Sequence, residues 1–296
     1  MNYNLASRTE VRELLRKYEF HVRKKFGQNF LVDENILQKI VKAAELSGQS
    51  QVLEIGPGLG SLTVQLAEQA KMVVAIEIDR ALKPILDENL SSTNNVKLII
   101  DDALKIDFNS VFDEDGERFV VANLPYYITT PLVVKMLELE PKAKRIVVLV
   151  QREVGERLMA LPGTAAYGSL SVLAQVLAEV KAVGVVPRQV FYPIPDVESM
   201  IVSLDPKDNA TTGVKSKSSF ELTNRALFGQ RRKTLANALK GSPHWRLAPE
   251  DIDAALKCCQ IDPGGRGEQL APEDIVRLAN ALTKYLPHSP SKNCFA

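Results

Sequence analysis

The sequence predicts an α/β fold: a parallel sheet carrying helices on both faces, followed by a small all-helical C-terminal domain. Three observations predict it. Short apolar runs alternate with helical stretches between residues 52 and 150, as expected of strands covered on both faces and joined by crossover helices. A glycine-rich turn, Gly56-Pro57-Gly58-Leu59-Gly60, directly follows the first of these runs. A polar stretch at residues 205–219 then separates this pattern from sequence of helical character alone.

Taken in order, residues 1–50 read as helical, with Ile36, Leu37, Ile40 and Val41 near helical spacing. Strands are expected at 52–55, 72–76 and 96–100, with helices at 62–70 and 80–90. Two more strands, 119–122 and 146–150, flank a helix over about 130–139. A helix over 168–179 precedes strands at 180–186 and 200–204, which could pair antiparallel at the sheet edge. Residues 220–240 form one helix or two, and helices at 249–257 and 272–285 each carry proline near their start. The expected organisation is a first domain over 1–207, a linker over 208–219, a helical docking domain over 220–286 and a tail over 287–296.

With 45% hydrophobic and 25% charged residues, the 296-residue chain has an ordinary soluble composition. No apolar run approaches the roughly 18 residues of a membrane span, and the N-terminus lacks the apolar stretch of a signal peptide. Cys258, Cys259 and Cys294 form no Cys-x-x-Cys pair. Neither a disulfide framework nor a metal site is expected, and the cytoplasm is the default compartment. The net charge of +1 excludes little. Local charge says more: Arg23, Lys24 and Lys25 form one cationic cluster, and Arg231, Arg232 and Lys233 another. Such clusters are often plain solvated faces, but these two flank motif-bearing segments and are candidate contacts for nucleic-acid phosphates. His21, His244 and His288 share no motif and read as surface residues.

The turn reads Glu54-Ile55-Gly56-Pro57-Gly58-Leu59-Gly60. Glycines between a strand and a helix let a ligand approach the backbone, and the helix start offers N–H groups. Their Gly-x-Gly-x-Gly spacing departs from the Gly-x-Gly-x-x-Gly of dinucleotide folds. About 20 residues on, Glu77 closes the next strand, where a carboxylate accepts both hydroxyls of a ribose. After the third strand come Asp101 and Asp102, either of which can hydrogen-bond an adenine amino group or simply cap a loop. Turn, ribose acid and base acid together describe a site for an adenosyl group.

The strand at 119–122 leads into Asn123-Leu124-Pro125-Tyr126. An exocyclic adenine amine is a poor nucleophile, because its lone pair is delocalised into the ring. The Asn123 amide oxygen and the Leu124 carbonyl, which precedes Pro125, can accept its two N–H bonds and favour a pyramidal nitrogen. Tyr126 can stack on the flipped base. Positioning and electrostatics would drive such a reaction, without a general base or a metal.

These motifs, in this order, resemble the ribosomal RNA adenine dimethyltransferase family, KsgA type, over most of the chain. Lys25-Phe26-Gly27-Gln28-Asn29-Phe30-Leu31 resembles its opening motif, and Gln151-Arg152-Glu153-Val154 its segment after the fifth strand. Residues 191–199, reading Phe-Tyr-Pro-Ile-Pro-Asp-Val-Glu-Ser, resemble its Phe-x-Pro-x-Pro-x-Val-x-Ser signature. Phe228-Gly229-Gln230-Arg231-Arg232-Lys233-Thr234 resembles its basic C-terminal helix.

The resemblance implies a Rossmann-like class I S-adenosylmethionine-dependent methyltransferase fold. It implies transfer of two methyl groups to each of two adjacent adenosines near the 3′ end of 16S rRNA, within the small subunit or its precursor; a monomer is the expected state, independently of the resemblance. It also implies cofactor contacts at Asn29, Leu31, Gly56, Glu77, Asp102 and Asn123. Phe191 would be a second aromatic wall for the base, opposite Tyr126. One departure is Tyr127, where bacterial members commonly carry Asn; it bears on the shape of the base pocket. A large-subunit rRNA methyltransferase, a DNA adenine methyltransferase and a non-catalytic assembly factor on the same scaffold are the competing readings. The intact Gly58, Glu77 and Asn123 argue against the last.

Overall fold

The structure is a computed structural model that describes residues 3–23, 26–230, 232–243 and 245–286. Lys24, Lys25, Arg231, His244 and the expected tail, with His288 and Cys294, lie outside the described residues. The chain divides into two compact units. The first comprises residues 1–155 and 180–206, the second 156–179 and 207–296.

The first unit opens with helix α1 (Arg8–Lys17) and the two-residue strand β1 (Phe30–Leu31). Then come α2 (Glu34–Ala44), β2 (Ser50–Ile55), α3 (Ser61–Gln69), β3 (Met72–Glu77), α4 (Lys83–Asn89) and β4 (Val96–Ile100). Next are β5 (Glu117–Asn123), α5 (Thr129–Leu137), β6 (Arg145–Gln151) and α6 (Arg152–Leu158), which leads into the second unit. After the helix α7 (Ser169–Leu177), the strands β7 (Ala178–Val186), β8 (Phe191–Tyr192) and β9 (Ser199–Pro206) complete the unit. The described residues among 18–29 form no α-helix, contrary to the reading of 1–50 as helix. The periodicity of α2 does not extend upstream: Asp33 caps α2 by accepting from the Ile36 N–H at 3.1 Å, which sets the helix start.

The seven-stranded sheet has the order β4-β3-β2-β5-β6-β9-β7. β2 runs parallel to both β3 and β5, β3 to β4, and β5 to β6. β9 enters antiparallel to β6, with β7 as its outer neighbour. Val52, Val73, Phe119, Val121, Val147 and Leu149 pack with Leu37, Ile40 and Val41 of α2 and with Leu62 and Leu66 of α3. The alternate strand residues Leu53, Val74, Val120 and Val148 are buried too, at most 1% exposed. Both faces are therefore covered, which is why these strands are continuous apolar runs.

The second unit is helical. With α7 it contains α8 (Asn209–Thr212), α9 (Lys217–Gly229), α10 (Leu235–Lys240), α11 (Pro249–Cys258) and α12 (Pro272–Leu282). Val172 and Val176 of α7 belong to one buried cluster with Phe220, Leu227, Ile252, Ile275 and Leu278. Residues 156–179 thus group with the C-terminal helices rather than with the sheet. The expected linker holds α8 and the start of α9. Among the described residues no helix is long and apolar enough to cross a membrane.

Candidate active site

The sheet order changes direction at β2: the chain proceeds outward through β3 and β4, then returns to β5 on the other side. Ligands of open α/β sheets bind at the carboxyl ends of the strands at such a point. The glycine turn leaves β2 there. Gly56, Gly58 and Gly60 have φ of +72°, +60° and +90°, a region that L side chains enter only with strain. A Cβ on Gly58 would also lie 3.0 Å from the Phe30 ring. No side chain caps α3, the helix that the turn starts, so its first N–H groups face ligand or solvent.

Two buried carboxylates lie beneath this site, and one of them supports the turn. Glu77, at the end of β3, accepts from the N–H of Gly58 at 3.2 Å and of Asp79 at 2.8 Å. Burial pushes its carboxyl up to about 7, the Asp79 and Gly58 N–H groups oppose this, and the Asp79 charge adds to it. Glu54, in β2, is fully buried, and its carboxylate oxygens have no hydrogen-bond partner among the described residues. Burial raises it to about 8, the neighbouring Thr63 hydroxyl offsets this in part, and the Glu77 charge adds to it. In the sequence, Glu54 stands out only as an acid inside an apolar strand.

β5 places Asn123-Leu124-Pro125-Tyr126 beside the turn: a Cβ on Gly56 would lie 3.5 Å from the Asn123 carbonyl oxygen. Asn123 Nδ2 donates to the Asn29 carbonyl at 3.3 Å. This orients the amide, and among the described residues no hydrogen bond occupies its Oδ1. The Leu124 N–H donates to the Leu149 carbonyl at 3.0 Å, anchoring the peptide to β6. The Tyr126 hydroxyl shares a 2.7 Å hydrogen bond with Ser199 Oγ, and Ser199 is fully buried at the start of β9. Burial raises the Tyr126 phenol and Ser199 opposes the rise. Ser199 was visible only as the last residue of a signature; its role as partner to Tyr126 spans 73 residues of chain.

The segment leading into β1, together with β1 itself, forms another wall. Phe26, Gly27, Gln28, Asn29, Phe30 and Leu31 all line the cleft. Gln28 Nε2 reaches Asp79 Oδ2 at 2.8 Å, and Arg23 pairs with Asp79 Oδ1 at 2.7 Å. Asp79 is buried at 1% exposure and requires a counter-charge. Arg23 therefore anchors this segment, and its side chain stays 46% exposed, so it remains a proposed phosphate contact. Arg232 and Lys233 are exposed in the helical unit, between α9 and α10.

Phe191 is not brought to the cleft. It pairs with Leu31 across β1 and β8 and has no exposed surface, packed with Leu31, Ile40 and Ile201. A ring so placed has no face to offer a base, which corrects its reading as a second wall. Tyr127 is 52% exposed and lies outside the cleft lining. Its ring neighbours Gly27, where an added Cβ would lie 3.6 Å from Tyr127 Cδ1.

Asn29, Leu31, Gly56, Gly58, Glu77, Asp102, Asn123, Leu124, Pro125 and Tyr126 all line one cleft, together with Glu54 and Asp101. Its empty space, part of it open solvent, is about 920 Å³. Among the described residues no Lys or Arg lines it, while four carboxylates do. That balance suits a cationic nucleoside and disfavours a pyrophosphate. Among the described residues, no group of His, Cys, Asp and Glu could hold a metal ion.

Comparison with known proteins agrees with this geometry. Residues 19–284 match the family described as ribosomal RNA adenine dimethylase. A Bacillus pumilus protein named ribosomal RNA small subunit methyltransferase A is 45% identical, covering 97% of this chain and all of the relative. A Bacillus cereus protein of the same name is 46% identical, over 94% of this chain and 97% of its own. Among solved structures, a dimethyladenosine transferase from Plasmodium falciparum superposes with a TM-score of 0.72 at 28% identity, covering 86% of this chain and 97% of that one. The 23S rRNA methyltransferase ErmE gives 0.63 at 28% identity, over 86% and 99%. With the turn, the Asn-Leu-Pro-Tyr segment and the near full-length similarity in agreement, the chain belongs to the ribosomal RNA adenine dimethylase family.

Proposed function

We propose that this enzyme transfers methyl groups from S-adenosylmethionine to N6 of two adjacent adenosines near the 3′ end of 16S rRNA. The product is N6,N6-dimethyladenosine, and the setting is ribosome biogenesis in the cytoplasm, on the small subunit or its precursor. The observation that carries the reading is the Asn123 amide, held by the Asn29 carbonyl and with no hydrogen bond at its Oδ1 among the described residues, directly beside the glycine turn.

S-adenosylmethionine supplies an electrophilic methyl group on a sulfonium. The residues present fit it. Gly56 and Gly58 give backbone access, Glu77 would take the ribose hydroxyls, and Asp102 the adenine amine. Asn29 and Leu31 would border the methionine end. Glu54, buried and without a hydrogen-bond partner among the described residues, would lie in the field of the ligand's positive charges. Asn123 Oδ1 and the Leu124 carbonyl accept the two N–H bonds of the target amine. That arrangement withdraws its lone pair from the ring and aims it, while Tyr126, steadied by Ser199, presents a ring for the base to stack on. These acceptors matter most as the nitrogen becomes pyramidal, so they stabilise the transition state more than the bound substrate.

The test is transfer of labelled methyl from S-adenosylmethionine to small subunits lacking adenine dimethylation, followed by nucleoside analysis, with large subunits in parallel. Dimethyladenosine in the small-subunit RNA alone supports the proposal. Label in the large subunit alone would favour a specificity like that in the name of ErmE. No label in either overturns the proposal. Asn123→Ala should lower kcat by about 100-fold or more with RNA affinity retained; normal turnover in that variant would overturn the mechanism.

A further inference from the structure

Lys135 lies on α5, the helix that the Asn123–Tyr126 segment leads into, yet its ammonium is spent on a different loop. Its Nζ donates to three backbone carbonyls: Ala103 at 2.9 Å, Leu104 at 2.8 Å and Ile106 at 2.5 Å. It also sits 4.4 Å from the centroid of the Phe108 ring. A lysine has three N–H bonds, and all three are in use. It is therefore placed neither as a proton acceptor nor as a contact for RNA phosphate. Burial lowers its pKa, with the Asp107 and Asp102 charges opposing.

The loop it grips is the one that carries Asp102. Asp102 Oδ1 accepts from the Leu104 N–H at 2.9 Å, the Asp102 carbonyl accepts from the Lys105 N–H at 2.9 Å, and the Asp102 N–H donates to Asp101 Oδ1 at 2.7 Å. Three carbonyls turned toward one point repel each other unless a cation stands there. Removing the ammonium leaves water to replace it at a half-exposed position, and water does not impose one loop geometry.

We infer that Lys135 is a positioning residue, which ties the Asp102 loop to α5 so that the cofactor's adenine and the target base are held in a single frame. The inference rests on the reading that the cleft takes the adenosyl group with Asp102 at its amine. Lys135 would then act on recognition of the adenine ring while leaving the chemistry at Asn123 intact.

The experiment titrates S-adenosylhomocysteine, and its inosyl analogue lacking the exocyclic amine, into the full chain. Wild type should prefer the adenosyl form by about 10-fold or more, the value of one hydrogen bond to a charged group. Lys135→Met keeps length and removes charge. It should weaken the adenosyl form by about 10-fold and the inosyl form much less, so that selectivity collapses. KM for S-adenosylmethionine should rise correspondingly, with kcat at saturating cofactor near that of wild type. Lys135→Arg, which keeps charge and donors, should restore part of the selectivity.

Equal weakening of both ligands, or unchanged binding, overturns the inference and leaves Lys135 a packing residue. Should Lys135→Met not fold, Lys135→Gln, which retains two donors, carries the same measurement. If wild type binds neither ligand, or binds both equally, the cofactor reading itself fails and the inference falls with it; that failure is seen without any variant.

Discussion

Tyr126 and Ser199 illustrate how one hydrogen bond serves a reaction. A phenol on a half-buried ring needs a partner, and Ser199 Oγ is one at 2.7 Å. Ser199→Ala should leave the fold intact but free the ring to rotate, lowering kcat/KM for RNA by about 5- to 30-fold. Tyr126→Phe should lose a similar amount, and the double variant no more than either single one, because both remove the same bond. A steady-state comparison of the three checks this; additive losses would separate the two residues. Asn123 shows the complementary case. Its Nδ2 is used structurally on Asn29, which leaves Oδ1 as the atom proposed to meet the substrate.

At the scale of elements, the glycine turn is the feature most dependent on backbone conformation. Gly58→Ala would force a Cβ at φ +60° to within 3.0 Å of Phe30. A loss of about 1–2 kcal/mol in stability is expected, together with weakened binding of S-adenosylhomocysteine; thermal melts with and without the ligand measure both. The turn, the strands and their order along the chain were legible in sequence, because positive φ and continuous apolar runs leave local signatures. The segment 18–29 was not. Its conformation rests on Arg23 and Gln28 reaching Asp79, more than 50 residues away. No local period encodes that pairing.

For the whole molecule, the buried acids couple stability to pH. Glu54 titrates at about 8 in the folded protein against an ordinary value of 4.5. The folded chain thus keeps a proton that the unfolded chain has lost. Its contribution is fully present below about 4.5, declines as pH rises and is lost above about 8, by up to roughly 5 kcal/mol. Glu77, raised to about 7, adds to the same slope. Urea denaturation at pH 6 and pH 9 should show the loss, and Glu54→Gln should flatten it. A cationic ligand reverses the preference, so binding of S-adenosylmethionine near pH 7 should release protons, read as a buffer-dependent calorimetric enthalpy. In the helical unit, Arg232 and Lys233 are exposed and remain the proposed RNA-binding residues. Replacing both with Ala should reduce the salt slope of RNA binding by roughly 0.7–0.9 for each phosphate that is no longer neutralised, without changing S-adenosylhomocysteine affinity.

By itself the sequence determined the strands of the seven-stranded sheet, the turn glycines, the carboxylate Glu77 at a strand end and the Asn123–Tyr126 segment, since each is dictated by local stereochemistry or by residue type at a strand end. It also carried the family, through the order of its motifs. Tertiary structure alone decided that β2 and β5 lie side by side at the switch point, that Arg23 pairs with Asp79, and that Phe191 is core. It also decided that residues 156–179 join the helical unit. These are matters of which buried group meets which partner across long stretches of chain. An apolar period reveals that a face will be buried, and only packing selects what covers it.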